Sequence, residues 1–129
     1  DIYRIADMIR DQRDIKVIAV KDYITYPKAS GYKSYHMIVS IPVYLSDRTV
    51  DTKVEVQIRT VAMDFWASLE HKIHYKFEGD APENIKNELV ECARMVSDLD
   101  ARMLSLNEEI LAISKKREEE KQLNSGTSK

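Results

Sequence analysis

Tyr35-His36-Met37-Ile38-Val39-Ser40-Ile41-Pro42-Val43, and after it Lys53-Val54-Glu55-Val56-Gln57-Ile58-Arg59-Thr60, are the two stretches that decide the fold. In the first, Tyr35, Met37, Val39, Ile41 and Val43 fall on one face of an extended chain, with His36, Ile38 and Ser40 on the other. The second alternates more sharply: Val54, Val56 and Ile58 against Lys53, Glu55, Gln57 and Arg59. Ser46-Asp47-Arg48 between them reads as a turn. Upstream, residues 15–25 are rich in β-branched side chains and too short for a buried helix, so they read as a third strand. Three successive strands with short connections predict an antiparallel meander.

Helices flank this sheet. Ile2, Ile5, Ala6 and Ile9 make one stripe of a helix over residues 2–13. Thr60 is the expected N-cap of a second helix, from about Val61 to Phe77, with Phe65, Trp66, Leu69 and Ile73 as its core stripe and Asp64 in the first turn. Gly79 breaks the chain; Asp80 as cap, Glu83 in a capping-box position and Pro82 in the first turn then start a third helix. That helix is expected to reach about Lys121. Its apolar residues Leu89, Cys92, Val96, Leu99, Met103, Leu106, Ile110 and Ile113 alternate spacings of three and four, a heptad seam. At ~1.5 Å per residue such a helix runs ~50–60 Å, more than a small domain is wide, which favours a subunit interface over packing on its own sheet. Cys92 within the seam reads as a small core residue. Residues 1–121 thus form a single domain of mixed α/β (α+β) class, with a largely antiparallel sheet flanked by helices, and residues 122–129 a flexible tail.

The composition narrows the function. The chain has 129 residues, one domain's worth, of which 43% are hydrophobic and 33% charged, a share that fits a large helical, solvated surface. A net charge of −2 argues against a protein that coats nucleic acid, although it leaves room for a local phosphate site; an RNA partner is not supported by the charge. The single cysteine excludes a disulfide framework and a cysteine-based zinc site and suits a reducing, cytoplasmic compartment. No apolar run approaches the ~18 residues that span a bilayer, so no membrane partner is expected.

Two regions carry candidate chemistry. On the third strand Lys53, Glu55, Gln57 and Arg59 point the same way. Such a face is commonly just the solvated side of an antiparallel sheet. Functionally, a carboxylate, an amide and a guanidinium converge there on a polar ligand: Glu55 to hold a metal or accept a proton, Gln57 to read a base or ribose edge. The loop Pro27-Lys28-Ala29-Ser30-Gly31-Tyr32-Lys33-Ser34 offers positive charge for phosphates and an aromatic face for a base, with His36 following at strand spacing; an ordinary surface hairpin with an aromatic lid accounts for the same composition. His71 and His74 could share a helix face, but no third histidine has metal-ligand spacing.

Read together, Pro27-Lys28-x-x-Gly31-Tyr32-x-Ser34-x-His36 and Val54-Glu55-Val56-Gln57-Ile58-Arg59-Thr60 resemble the synthetase domain of the RelA/SpoT family, whose members make the alarmones ppGpp and pppGpp. Met63-Asp64-Phe65-Trp66-Ala67-Ser68-Leu69-Glu70-His71-Lys72 and the long terminal helix are similar to the small, single-domain synthetases of the RelQ type. The resemblance implies a nucleotidyltransferase-like core and transfer of pyrophosphate from ATP to the 3′-hydroxyl of GDP or GTP. It implies that Tyr32 stacks on guanine, that Lys28, His36 and Gln57 hold the acceptor nucleotide, and that Glu55 is the catalytic residue, binding Mg²⁺ or activating the hydroxyl. It also implies a homo-oligomer, a tetramer in the small members. Asp64, near the junction of sheet and helix, is the first place to look for feedback regulation.

One part of the family pattern is missing. The ATP-binding half, a basic Arg-x-Lys segment and a strand bearing Asp-x-x-Gly-x-Arg, does not occur in these residues. The chain is therefore expected to carry the acceptor half alone, to be trimmed from something longer, and to be inactive by itself. The alternatives are a non-catalytic guanine-nucleotide- or RNA-binding oligomeric module and a purely helical assembly module; an Asp-x-x-Gly-x-Arg strand encoded just before Asp1 would favour the enzyme over both.

Overall fold

A computed structural model describes residues 1–127 and gives the order α1 (Ile2–Arg10), β1 (Lys16–Asp22), β2 (Tyr35–Tyr44), β3 (Thr49–Ile58), α2 (Val61–Lys76) and α3 (Glu83–Thr127). The chain divides into two compact units, one from Asp1 to Ser97 and one from Asp98 onward.

The expected meander is present: β1, β2 and β3 pair antiparallel in that order. β3 begins at Thr49, earlier than the alternation at Lys53 suggested, because the ladder closes tightly from Tyr44 opposite Thr49, with the Leu45 N–H donating to the Arg48 carbonyl at 2.8 Å. Pro42 lies in the central strand, where a missing N–H normally costs a ladder bond. It is tolerated because β1 pairs with β2 only as far as Ser40. A bulge between Val17 and Ala19 shifts the register of β1, so Val17 opposite Val39 and Val20 opposite Met37 share a face.

That face carries the first core. Met37 and Val39 are fully buried, and Ala6 of α1 packs on them with Tyr35 and Ile58. The amphipathic stripe of α1 is the cause: Ile2, Ala6 and Ile9 meet the sheet, while Ile5 stays exposed. α1 stops at Arg10, short of Arg13, since Asp11 is its C-cap and the Gln12 N–H turns to the Ile9 carbonyl.

A second core joins α2 to the start of α3. Trp66, Leu89 and Ala93 are buried together, and the Trp66 indole N–H donates to the Leu89 carbonyl at 2.9 Å. Thr60 caps α2, its hydroxyl accepting from the Met63 N–H at 3.1 Å. Three expectations about side chains and caps need correction. Phe65, 77% exposed, and Leu69, also exposed, are not core: the buried side of α2 is Met63 and Trp66, because Trp66 reaches α3 and sets which side of the helix faces inward. Cys92 is exposed, not core; Ala93 takes the inward position because α3 meets Trp66 and Gly31 one residue further round. The Pro82 carbonyl, and not Asp80, sits at the start of α3, accepting from Ile85 and Lys86 at 3.0 and 3.1 Å. α3 also continues to Thr127, past the expected end near Lys121, since no proline interrupts it and Gly126 costs only about 1 kcal/mol relative to Ala in a helix. Residues 128 and 129 of the expected tail lie outside the described residues.

Candidate active site

The polar face of the sheet and the loop after β1 meet. Gly31 seats the loop: its φ is +96°, and a Cβ there would stand 2.7 Å from the Ala93 Cβ and 3.4 Å from the Trp66 ring. Only glycine combines that backbone conformation with that approach. The Lys28 N–H donates to the Tyr32 carbonyl at 3.1 Å and closes the loop; Lys33 Nζ donates to the Ser97 hydroxyl. Tyr32 is thereby held against Trp66, ring centroids 6.5 Å apart.

From Tyr32 the contacts run onto the sheet. Its hydroxyl lies 3.2 Å from His36 Nε2 and 3.3 Å from the buried Ser34 hydroxyl. His36 Nδ1 lies 2.9 Å from Glu55 Oε1. The register explains this contact: His36 stands opposite Gln57 and Ile38 opposite Glu55, so His36 and Glu55 are diagonal neighbours on one face. His36 is buried, whereas the Glu55 side chain is 54% exposed. Lys28 Nζ sits 5.4 Å from the Tyr32 ring centroid and 4.9 Å from that of Tyr23. Of the residues expected in the site, Lys28, Tyr32, His36 and Glu55 therefore form a chain of contacts, and Gln57 shares their face of the sheet, opposite His36 and exposed.

Two participants were not anticipated in these roles. Tyr23 stacks edge-on against both Tyr32 and His36, at 6.2 and 5.2 Å. The sequence had placed it inside the strand read over residues 15–25, whereas β1 ends at Asp22 and Tyr23 begins the loop. Arg59, expected on the polar face of β3 as a guanidinium converging on the ligand with Glu55 and Gln57, lies past the end of that strand, where Nη1 donates to the Tyr32 hydroxyl at 3.4 Å and Nε pairs with Asp64 Oδ1 at 3.1 Å.

Beside Tyr32 opens a cleft of about 1020 Å³ in the Asp1–Ser97 unit, lined among others by Lys28, Tyr32, Arg59, Glu70 and His71. It has the size of a small-molecule site with an aromatic wall and convergent charges. His71 and His74 both border it, and no group of three or more metal-ligating side chains occurs among the described residues. Glu55 offers a single, accessible carboxylate, a donor set that suits Mg²⁺, which takes one or two carboxylates and fills the rest of its octahedron with phosphate oxygens and water.

The lysine-bearing glycine loop lines a cleft of small-molecule size, with an exposed carboxylate on the neighbouring sheet face, an arrangement that suits a polar, anionic ligand. The profile of the region found in RelA / SpoT proteins matches residues 1–80, and the chain belongs to that family. Within it, the chain is 46% identical to the GTP pyrophosphokinase YwaC of Bacillus subtilis and 38% identical to YjbM of the same organism, each over 85% of this chain and 52% of the relative. Among solved structures it is similar to the small alarmone synthetase 2 of B. subtilis, with a TM-score of 0.81 and 47% identity over 84% of this chain and 59% of that one. It is also similar to small alarmone synthetase 1 bound to its product pppGpp, with a TM-score of 0.77 and 38% identity over 84% of this chain and 56% of that one. The chain thus spans about half the length of the relatives it matches.

Proposed function

We propose that the protein containing this chain is a (p)ppGpp synthetase, moving pyrophosphate from ATP to the 3′-hydroxyl of GDP or GTP, and that these residues form the acceptor half of its site. The observation that carries the reading is the contact chain Lys28–Tyr32–His36–Glu55, whose Lys28–Tyr32 end lines a cleft of nucleotide size while His36 and Glu55 lie outside its lining, on the sheet. Transfer of this kind asks a protein mainly for alignment and charge compensation. Tyr32 presents a ring to the guanine, Lys28 and His36 hold the acceptor's polar groups, Gln57 adds an amide on the same face, and Glu55 receives the hydroxyl proton or holds the metal. Bound Mg²⁺ would rest on Glu55 and offset phosphate charge. The likeness to a product-bound synthetase supports pppGpp as the product class. In the cytoplasm the intact protein would act as a homo-oligomer, a tetramer assembled through the α3 seam, while residues 1–129 alone would not synthesise alarmone.

Glu55→Gln in the full-length protein tests this reading. It preserves shape and removes the charge, so turnover of ATP and GDP to product, followed by chromatography, should fall at least ~100-fold, the scale of a lost acid–base group. Acceptor binding should change far less. Near-parental turnover would return Glu55 to the status of a solvated surface residue.

A further inference from the structure

We infer that Arg59 is a positioning residue for this reaction, acting through the Tyr32 hydroxyl and His36 on the Glu55 carboxylate. The inference rests on the reading of Glu55 given above. Four contacts make the string: Arg59 Nε to Asp64 Oδ1 at 3.1 Å, Arg59 Nη1 to the Tyr32 hydroxyl at 3.4 Å, that hydroxyl to His36 Nε2 at 3.2 Å, and His36 Nδ1 to Glu55 Oε1 at 2.9 Å. It crosses from the first turn of α2 through the end of β3 and the glycine loop to β2, and back to the middle of β3.

The chemistry of the two ends constrains the string. A guanidinium only donates and an ionised carboxylate only accepts. Arg59 therefore occupies a lone pair of the Tyr32 oxygen, whose own O–H lies between the Ser34 hydroxyl at 3.3 Å and His36 Nε2 at 3.2 Å, while the other face of the string is closed by His36 Nδ1 on Glu55.

Burial makes the arrangement stiff where stiffness is useful. His36 is 9% exposed and is flanked by Tyr23 edge-on, so its ring has little room to re-aim. Glu55 is open to solvent and would otherwise sample several rotamers. A catalytic group must be held to within about 0.5 Å, and a misplacement of ~1 Å can cost ~100-fold. The competing explanation for Arg59 is a plain surface ion pair with Asp64 at a helix N-terminus, which contributes little. That explanation does not account for the second nitrogen, which is turned onto Tyr32 rather than shared with the carboxylate.

The test is a double-mutant cycle in the full-length protein with Arg59→Gln, Tyr32→Phe and the pair together. Tyr32→Phe keeps the ring and deletes only the hydroxyl. Each single variant should lower kcat about tenfold while acceptor binding, read by calorimetry, changes less than about threefold, a modest part of what misplacement can cost. The double variant should be no slower than the slower single, because both changes cut one string. Multiplying effects would overturn the inference, as would parental kcat in a folded Tyr32→Phe protein. Should Arg59→Gln lower the melting temperature enough to unfold the protein, Tyr32→Phe alone decides by the same criterion. If Glu55→Gln turns over normally, the proposed function itself fails; if Glu55→Gln is inactive but Tyr32→Phe and Arg59→Gln are parental, only the role of Arg59 fails.

Discussion

The two parts of α3 have the same apolar spacing and opposite surroundings. In the Asp1–Ser97 unit, Leu89 and Ala93 are buried against Trp66, with Val96 beside them and Tyr32 packed on the same cluster. From Leu99 through Met103, Leu106, Ile110 and Ile113 the stripe continues, and every one of these side chains is exposed in the single chain. A heptad stripe is a demand for cover and does not say what supplies it. The first part is covered by its own chain because α2 brings an indole to it. The second part keeps the heptad spacing with its apolar side chains open to solvent.

A charge placed in each part should have opposite consequences. Leu89→Glu buries an unpaired carboxylate, a cost of several kcal/mol, and should unfold the Asp1–Ser97 unit, seen as loss of its cooperative melting transition. Leu99→Glu should leave that transition intact and, if the seam joins subunits, shift the oligomer towards monomer by light scattering. Unchanged mass in a folded Leu99→Glu protein would remove the seam as the interface. Loss of folding would mean that the exposed part is core after all.

A smaller effect is expected at the loop that leans on the covered part. Gly31→Ala puts a Cβ 2.7 Å from that of Ala93 at a φ of +96°. Strain of about 1–3 kcal/mol should appear as lowered stability, and acceptor binding should weaken with it as the loop is displaced. Gly31→Ala with parental stability would show that the loop is not seated on α3.

Tyr32→Ala sharpens the contrast between structural cover and ligand binding. Guanine-nucleotide binding should weaken by ~1–3 kcal/mol, the range for an aromatic stacked on a base, while ATP binding is nearly untouched. Equal weakening of both would point to collapse of the cluster around Trp66.

The smallest effect belongs to a carboxyl outside α3, at the end of β1. Burial tends to raise the Asp22 carboxyl, but the Thr25 backbone N–H and hydroxyl, with Tyr3 and the Ile24 N–H, outweigh it and hold it below its ordinary value. A carboxyl depressed in the folded state contributes stability above its unfolded value and loses it as the pH falls through the folded one. Asp22→Asn should therefore flatten the acid limb of a stability–pH curve below about pH 4, where unperturbed aspartates titrate, without altering nucleotide binding. An unchanged acid limb would assign that pH dependence elsewhere.

Much of the fold was legible because its signals are local. Alternation placed β2 and the centre of β3 and put His36 and Glu55 on the polar face, and the Thr60 hydroxyl announced the start of α2. Boundaries were less legible where pairing decides them: Thr49 is strand because it faces Tyr44, a partner that its own β-branched side chain does not specify. Phe65 and Cys92 were misplaced for a related reason. An apolar residue near the edge of a helical stripe can point either way, and the direction is set by the partner element, here Trp66 reaching Leu89 and Gly31 meeting Ala93.

The meander, the face of Glu55 and Gln57, the glycine loop with Lys28 and Tyr32, and the heptad stripe can all be read from the residues alone, since each follows from the period of a single element or from the conformational range of one residue. It took the packed chain to show that His36 reaches Glu55 across the ladder, that Arg59 turns back to Tyr32, and that the stripe of α3 is covered at Leu89, Ala93 and Val96 but exposed from Leu99 to Ile113. Those facts depend on register and on which elements meet, and both are set by the free energy of the whole packed unit, to which no short window of sequence has access.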